Sequence, residues 1–96
     1  MADLIISPEA EQDLVDIWVY IAEDSPVNAD NYIDKLIEKA EVLAKNNLMG
    51  VERNELAKGL RCFPVDHYIL YYFPLNETIE LVRVLHASRD ILAIER

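Results

Sequence analysis

The chain has 96 residues, 52% of them hydrophobic and 28% charged, and its formal net charge at pH 7 is −9. The length and composition predict one small domain (1–96). They exclude an intrinsically disordered chain, because the apolar surface is sufficient to offset the loss of chain entropy on folding. No apolar run reaches the roughly 18 residues of a membrane-spanning helix, and Met1-Ala2-Asp3 opens with an acid where a signal peptide carries bases. With Cys62 as its single cysteine, the chain has no internal disulfide, and we expect a cytoplasmic protein without a membrane partner.

The negative charge is concentrated in the first half of the chain. Residues 1–50 carry eleven acids and three lysines, a net of −8, whereas the remainder is nearly balanced. Nucleic-acid affinity depends on Lys and Arg side chains that displace counterions from phosphates. We therefore expect no direct binding to naked DNA or RNA.

The first predicted elements are a short strand and two helices. Leu4-Ile5-Ile6 is an apolar run typical of a strand buried on both faces. Ser7-Pro8 and Ser25-Pro26 each predict a helix start, because Ser caps a free backbone N–H and Pro fits the first helical position. The predicted buried stripes are Ala10, Leu14, Ile17 and Ile21, widened by Val15, Trp18 and Ala22, in the first helix, and Ala29, Ile33, Leu36, Ala40 and Leu43 in the second. Helices so close in sequence form an antiparallel hairpin, which Asn46-Asn47 and Gly50 end.

Three β-rich runs follow, at 60–65, 68–73 and 78–86, separated by the turn residues 66–67 and 74–77. Because Pro64 cannot donate to a strand ladder, its strand is predicted at a sheet edge, with the N-terminal strand beside the last one. The predicted class is α+β, in the order β-α-α-β-β-β, with both helices on one face of the sheet.

The last strand predicts a sheet that is apolar on both faces. Strict alternation sets Ile79, Leu81, Arg83 and Leu85 on one face and Thr78, Glu80, Val82, Val84 and His86 on the other. We therefore expect the face opposite the helices to be covered by the chain ends or by a partner.

Metal and cofactor chemistry has little support in the sequence. The possible soft or imidazole ligands are His67, His86 and Cys62, with no CxxC or HExxH pattern. Gly50 and Gly59 stand alone, outside any phosphate-binding glycine loop. We expect no metal and no cofactor.

A basic group on the later strands offers an enzymatic alternative. Cleavage of RNA by 2′-hydroxyl attack needs a base, an acid and cations, which Arg61, Arg83, His86 and Arg89 can supply. The competing interpretation is that these side chains form ion pairs and hydrogen bonds where the strand ends. The residues alone leave both interpretations open.

The order of elements and three stretches resemble a known family. Gly59-Leu60-Arg61-Cys62-Phe63-Pro64-Val65, Tyr68-Ile69-Leu70-Tyr71-Tyr72 and the ending Arg83-Val84-Leu85-His86-Ala87-Ser88-Arg89-Asp90 are similar to the ParE branch of the RelE/ParE toxin superfamily. The N-terminal pattern that begins Ser7-Pro8-Glu9-Ala10-Glu11 extends the resemblance over nearly the whole chain.

The resemblance implies the toxin of a type II toxin–antitoxin module, neutralised by a ParD-like antitoxin. RelE-like members cut mRNA on the ribosome, whereas ParE-like members poison DNA gyrase. The basic residue that RelE-like members carry early in the second meander strand falls at Tyr68, and their terminal Tyr falls near Glu95, so Arg89 alone stays basic. These departures favour a gyrase-directed, non-enzymatic toxin, with an mRNA endonuclease or a decayed, antitoxin-binding toxin as alternatives.

A partner surface is predicted from the apolar residues of the helices and the polar end of the sheet. Because the helices are acidic, the cognate antitoxin tail is expected to carry several Lys or Arg. The predicted partner-binding residues are Leu14, Trp18, Ile21, Tyr32, Leu36, Tyr68, Tyr71, Arg83, His86 and Arg89.

Overall fold

The computed structural model describes residues 4–89. Its elements in chain order are β1 (Ile5–Ile6), α1 (Pro8–Ala22), α2 (Pro26–Lys45), β2 (Val51–Glu52), β3 (Arg61–Val65), β4 (Tyr68–Leu75) and β5 (Thr78–His86). The predicted α+β class, with an N-terminal strand, a helix hairpin and a three-stranded meander, is confirmed. Neither helix is long and apolar enough to cross a membrane, as far as the chain is described.

The strands form one five-stranded sheet in the order β1-β5-β4-β3-β2. As predicted, β1 lies beside β5, and it runs parallel to it, while the other pairs are antiparallel. β2 was not predicted, and it pairs with Arg61 and Cys62 of β3. The prediction that β3 is an edge strand is therefore wrong at Arg61 and Cys62, which pair with β2. It holds at Pro64, because β2 does not extend that far along β3. β1 is itself an outer strand, so Ile5 is exposed and the prediction of a strand buried on both faces is wrong there.

Two Ser-Pro pairs begin the helices, as predicted, but they are anchored differently. The Ser7 Oγ accepts a hydrogen bond from the Ala10 N–H at 3.0 Å and donates one to the Val82 carbonyl at 3.0 Å. The Ser7 N–H also donates to the Leu81 carbonyl at 2.9 Å, so the start of α1 is tied to β5. The Ser25 Oγ accepts from the Asn28 N–H at 3.2 Å, a bond within its own helix.

The main core lies between the helices and the sheet. It contains Ala10, Leu14, Ile17, Leu36, Ala40, Leu43, Ala44, Val65, Leu70, Tyr72, Ile79, Leu81 and Val84. The helical stripes were therefore predicted well, except that Val15 and Trp18 are exposed and do not widen the stripe of α1.

A second apolar cluster covers the other face of the sheet. It contains Leu60, Cys62, Tyr71, Phe73, Val82 and Leu85, with Leu56, Ala57 and Ile69 packed against it. Leu56 and Ala57 belong to the loop between β2 and β3. This loop therefore supplies part of the cover that was predicted to come from the chain ends or a partner.

An irregularity in the pairing of β4 with β5 changes which residues share a face. Tyr71 pairs with Arg83 and Tyr72 with Leu81, so Val82 is an extra residue in β5. Val84 consequently joins Ile79 and Leu81 in the main core, while Leu85 joins the second cluster. The predicted strict alternation holds through Val82 and is wrong for Val84 and Leu85, which lie on the faces opposite to those predicted.

Candidate protein-binding groove

An open groove of about 800 Å³ lies where the end of α1, the early part of α2, the β3–β4 turn and the end of β5 meet. Here it is called the aromatic groove, and it is lined by Tyr20, Ile21, Tyr32, Asp66, His67, Tyr68 and His86.

Four aromatic or imidazole rings form a continuous set in this groove. Because Tyr68 pairs with His86 across β4 and β5, their rings meet edge to face, with centroids 5.3 Å apart and planes at 82°. The Tyr32 ring lies 5.8 Å from that of Tyr68, and the His67 ring stacks on that of His86 at 6.2 Å. Such rings offer apolar faces together with polar tips, the combination found at protein interfaces.

Hydrogen bonds and an ion pair hold the polar groups of the groove. The Tyr32 hydroxyl donates to the Val65 carbonyl at 3.4 Å, and Lys35 Nζ lies 2.7 Å from an Asp66 carboxylate oxygen. Burial, followed by the Asp66 carboxylate, raises the pKa of Tyr32, and burial likewise raises the pKa of Tyr68. Both phenols therefore stay neutral at physiological pH and can donate hydrogen bonds.

His86 is held in one tautomer by its neighbour Ser88. The Ser88 N–H donates to His86 Nδ1 at 3.1 Å, and the Ser88 Oγ lies 2.7 Å from the same nitrogen. A nitrogen that accepts a backbone N–H carries no hydrogen, so the proton of the neutral ring is on Nε2. In this geometry the neutral imidazole offers a hydrogen-bond donor at Nε2.

A smaller recess of about 210 Å³ adjoins the aromatic groove and shares Tyr20, Tyr68 and His86 with it. Arg89 lines the recess together with Asp13 and Asp16 of α1. The recess thus combines one exposed guanidinium with carboxylates.

The structure brings together half of the predicted partner-binding residues. Ile21, Tyr32, Tyr68 and His86 line the aromatic groove, and Arg89 lines the adjoining recess. Tyr20, Asp66 and His67 were not predicted, although a tyrosine near the end of the first predicted helix and a turn directly before Tyr68 were signals for them.

The other predicted partner-binding residues lie elsewhere. Trp18 is partly exposed, and its Nε1 donates to Asp30 at 2.8 Å, which links α1 to α2. Arg83 is engaged by Asp13. Three residues are buried, namely Leu14 and Leu36 in the main core and Tyr71 in the second cluster.

The alternative catalytic group is assembled only in part, because Arg61 lies apart from the other three residues. Arg61 donates to the carbonyls of Leu48 at 3.0 Å and Gly50 at 2.6 Å, and it pairs with Glu52 at 3.1 Å. It lies opposite Tyr72 in the sheet, whereas His86 lies opposite Tyr68, roughly 13 Å away along β4. His86 and Arg89 are the two members of the group that share a recess.

Arg83, the remaining member of the alternative group, is occupied by an ion pair. Its Nε and Nη2 donate to the two carboxylate oxygens of Asp13 at 2.7 and 3.0 Å. The hydrogen bond to Asp13 raises the pKa of Arg83, so this cation is held by its partner. Within residues 4–89, no three His, Cys, Asp or Glu side chains lie close enough to hold a metal ion. Glu95 and Asp90 lie outside the described residues.

Comparisons with known proteins identify toxins of the ParE and RelE types as relatives. The model of the ParE toxin of the type II toxin–antitoxin system parDE matches residues 4–91. Toxin ParE1 of Mycobacterium tuberculosis is 30% identical over 89 residues, covering 91% of each chain. Toxin RelE3 of Caulobacter vibrioides is 25% identical over 88 residues, covering 91% of this chain and 96% of the relative.

A solved structure shows the same fold. It is titled the chromosomal ParDE TA system from P. aeruginosa, and it superposes with a TM-score of 0.75 at 19% identity, over 92% of this chain and 98% of that one. The family match spans nearly the whole domain, and a relative at 30% identity covers it equally well. The chain therefore belongs to the ParE toxin family of type II toxin–antitoxin systems.

Proposed function

We propose that this toxin acts by binding DNA gyrase, without an enzymatic step, and that a ParD-like antitoxin neutralises it in the cytoplasm through the aromatic groove. The observation that carries the non-enzymatic part is that two cations of the basic group are unavailable to a reaction at His86. Arg61 is held by carbonyls and Glu52, roughly 13 Å away along β4, and Arg83, although it lies beside the recess that His86 shares with Arg89, is held there by the carboxylate of Asp13.

The aromatic groove supports an antitoxin partner by its shape and by the charge around it. Its rings can receive apolar anchors from an extended or helical segment, the usual form of such recognition. The helix hairpin beside it, residues 8–45, carries ten acids and three lysines. A basic antitoxin tail is therefore attracted to this side of the molecule.

The preference for gyrase over RNA as the target rests on two observations. They are the small number of free cations beside His86 and the tyrosine at a position that is basic in RelE-like toxins. A ribonuclease must stabilise a doubly charged phosphorane-like intermediate, which needs several free cations at one place. Arg89 is the single free guanidinium that the structure describes in the recess, and two aspartates lie beside it. The position of an early basic residue in β4 is occupied by Tyr68, whose ring packs on His86.

The similarity to toxin RelE3 favours a second candidate, a ribosome-dependent mRNA endonuclease. In that case His86 and Arg89 would carry the chemistry, since they are the candidate residues that meet in the recess. A decayed toxin that only binds its antitoxin is a third candidate.

One experiment separates the three candidates. Purified toxin is added to a gyrase supercoiling and DNA-cleavage assay and, in parallel, to a translation reaction in which mRNA cleavage is followed. Inhibited supercoiling with intact mRNA is expected. Cleavage of translated mRNA that His86→Ala and Arg89→Ala abolish would overturn the proposal, and an antitoxin-binding chain inert in both assays would identify a decayed toxin.

The antitoxin site is tested separately by titration calorimetry. Tyr68→Ala is expected to weaken antitoxin binding by about tenfold or more, since aromatic anchors dominate such interfaces. Val42→Ala, an exposed apolar residue late in α2, serves as the matched control. Equal affinities of the two variants would place the antitoxin elsewhere.

A further inference from the structure

Both histidines of the chain lie in the aromatic groove. His67 stands in the β3–β4 turn and His86 ends β5, and both side chains are exposed. Their rings stack, with centroids 6.2 Å apart and planes 13° from parallel. The groove therefore presents two imidazoles side by side to the partner that fills it.

The backbone holds the two rings in this arrangement. Tyr68, directly after His67, pairs with His86 across β4 and β5. Beyond that pair, the Ala87 N–H donates to the His67 carbonyl at 2.7 Å. The Ser88 N–H donates to His86 Nδ1 at 3.1 Å, which fixes the orientation of that ring. Strand pairing and a local turn therefore both position the stacked pair.

The charged groups around the two imidazoles come from α1, α2, the β3–β4 turn and the end of β5. Within residues 4–89 they are Asp13, Asp16, Lys35, Asp66, Arg83 and Arg89. The phenols of Tyr20, Tyr32 and Tyr68 face the imidazoles as well.

Two of these carboxylates are already engaged by cations. Lys35 binds Asp66, the neighbour of His67, and Arg83 binds Asp13 in the recess beside His86. Among the side-chain types present, imidazole is the one that ordinarily changes charge between pH 5 and pH 8. In that range the charge of the groove therefore changes at the stacked pair.

Cover by a partner favours the neutral imidazoles. An apolar anchor seated against these rings removes water from them, and the loss of water penalises the charged form of a side chain. Two imidazolium rings 6.2 Å apart would also repel each other more strongly once water is excluded. A basic antitoxin tail would add a further repulsion of like charges. All three effects make the protonated groove the weaker binding site.

We propose that the stacked pair makes neutralisation of the toxin dependent on pH, because the antitoxin binds the aromatic groove while His67 and His86 are neutral and leaves it when they are protonated. This inference rests on the proposed function, in that the antitoxin occupies the groove. Binding then excludes protons from both rings. The affinity is accordingly highest above about pH 7.5 and falls as the pH decreases through the range in which imidazole titrates.

The test is titration calorimetry of the full-length toxin with its purified ParD-like antitoxin at about pH 7.5 and about pH 5.5. The wild-type affinity is expected to fall about tenfold or more between the two, since each imidazole that must lose its proton costs up to about tenfold in affinity per pH unit. Binding heats at about pH 6.5, in two buffers of different ionisation enthalpy, are expected to show that protons are released on binding. A purely structural role of the rings would release none.

Three variants assign the effect to the pair, namely His67→Gln, His86→Gln and the double variant. Glutamine is polar and does not titrate. Each single variant is expected to show a smaller fall in affinity than wild type, and the double variant a change of less than about twofold. Val42→Ala is again the matched control and should keep the full pH dependence. Circular dichroism and thermal melting at both pH values establish that each protein is folded.

A wild-type affinity that is equal at both pH values would overturn the inference. A double variant that keeps the wild-type dependence would do the same, because groups of the antitoxin would then carry the titration. If the double variant binds too weakly to measure, the single variants decide, and proton release equal to that of wild type in both would refute the role of the pair.

Tyr68→Ala at about pH 7.5 separates this failure from that of the proposed function. If Tyr68→Ala weakens binding but pH does not, the antitoxin occupies the groove and the inference alone fails. If Tyr68→Ala leaves the affinity unchanged, the antitoxin binds elsewhere and both fail.

Discussion

The carboxylate of Asp13 on α1 accepts two hydrogen bonds from Arg83 on β5, of 2.7 and 3.0 Å. One of its oxygens also accepts the Val84 N–H at 2.9 Å. The Asp13 side chain is 11% exposed and that of Arg83 is 29% exposed, so the pair is partly withdrawn from water. This one carboxylate therefore serves both a cation and a strand backbone.

Replacing Asp13 is expected to destabilise the fold. Asp13→Ala leaves a partly buried guanidinium and a backbone N–H without their acceptor, which costs about 2–3 kcal/mol of the free energy of unfolding. Urea denaturation measures the effect, with Glu11→Ala on the exposed side of α1 as control. Equal stabilities of the two variants would show that the contact contributes nothing.

The two helix caps are expected to differ in strength. Ser7→Ala removes the cap of α1 and also the donor to the Val82 carbonyl, whereas Ser25→Ala removes a cap alone. We expect a loss of about 2 kcal/mol for Ser7→Ala and about 1 kcal/mol for Ser25→Ala. Thermal unfolding of both variants measures the difference, and a larger loss for Ser25→Ala would contradict it.

Gly50 and Tyr72 are expected to be energetically coupled. A Cβ at position 50 would lie 2.5 Å from the Tyr72 hydroxyl and 2.7 Å from the Cys62 carbonyl oxygen, closer than real contacts allow. Gly50→Ala and Tyr72→Phe should each destabilise the fold, but the double variant should lose less than the two losses added together, because Tyr72→Phe removes the nearest clashing atom and leaves only the contacts with Cε1 at 2.8 Å and with the Cys62 carbonyl oxygen. A double-mutant cycle in urea measures this coupling, and strict additivity would refute it.

The partly buried tyrosines are expected to make the fold less stable at alkaline pH. Burial raises the pKa of Tyr32, Tyr68, Tyr71 and Tyr72 above the ordinary value of 10.0. Their contribution is fully present below pH 10 and is lost as pH rises, because the unfolded chain ionises first and releases more protons. The free energy of unfolding should fall as the pH rises above about 10, with a shallower slope for Tyr72→Phe. A curve that stays flat above about pH 10 would contradict the prediction.

Antitoxin association is expected to be sensitive to salt. The acidic helix hairpin attracts a basic tail through charges that added salt screens, so raising NaCl from about 50 to about 500 mM should lower the association rate constant by about tenfold. Stopped-flow mixing measures this rate. Asp16→Asn/Glu23→Gln, which removes two exposed charges from the α1 region, should give a smaller salt dependence. An association rate independent of salt would rule out electrostatic steering.

Much of the fold could be predicted because its signals are local. The Ser-Pro pairs mark both helix starts to the residue, and β-branched and aromatic runs mark the meander. β2 has two residues, too few for any period to show. The extra residue at Val82 depends on how β4 and β5 pair, which no single strand reveals.

The candidate groove was harder to predict, because residues that are distant in sequence form it. An apolar stripe identifies residues that avoid water, but it does not distinguish the core from a partner interface. In this chain Leu14 and Leu36 are buried in the main core. Tyr20 reaches the aromatic groove because the end of α1 meets a turn 46 residues later, at Asp66. Tyr68 and His86 could be found because they stand in the stretches that resemble the family.

The hydrogen bond from the Val84 N–H to Asp13 has a consequence for how the free toxin behaves in a crowded cell. β1 ends at Ile6, which pairs with Leu81, so β5 runs on past its neighbour, and an uncovered backbone there would be a template for another chain. The Asp13 carboxylate already accepts the Val84 N–H at this edge, so a strand from another chain would have to break a hydrogen bond to a charged group in order to pair there. On the far side of the sheet, Pro64 offers no N–H beyond the reach of β2. Within residues 4–89, each of these two strand edges therefore carries a feature that disfavours pairing with a strand of another chain.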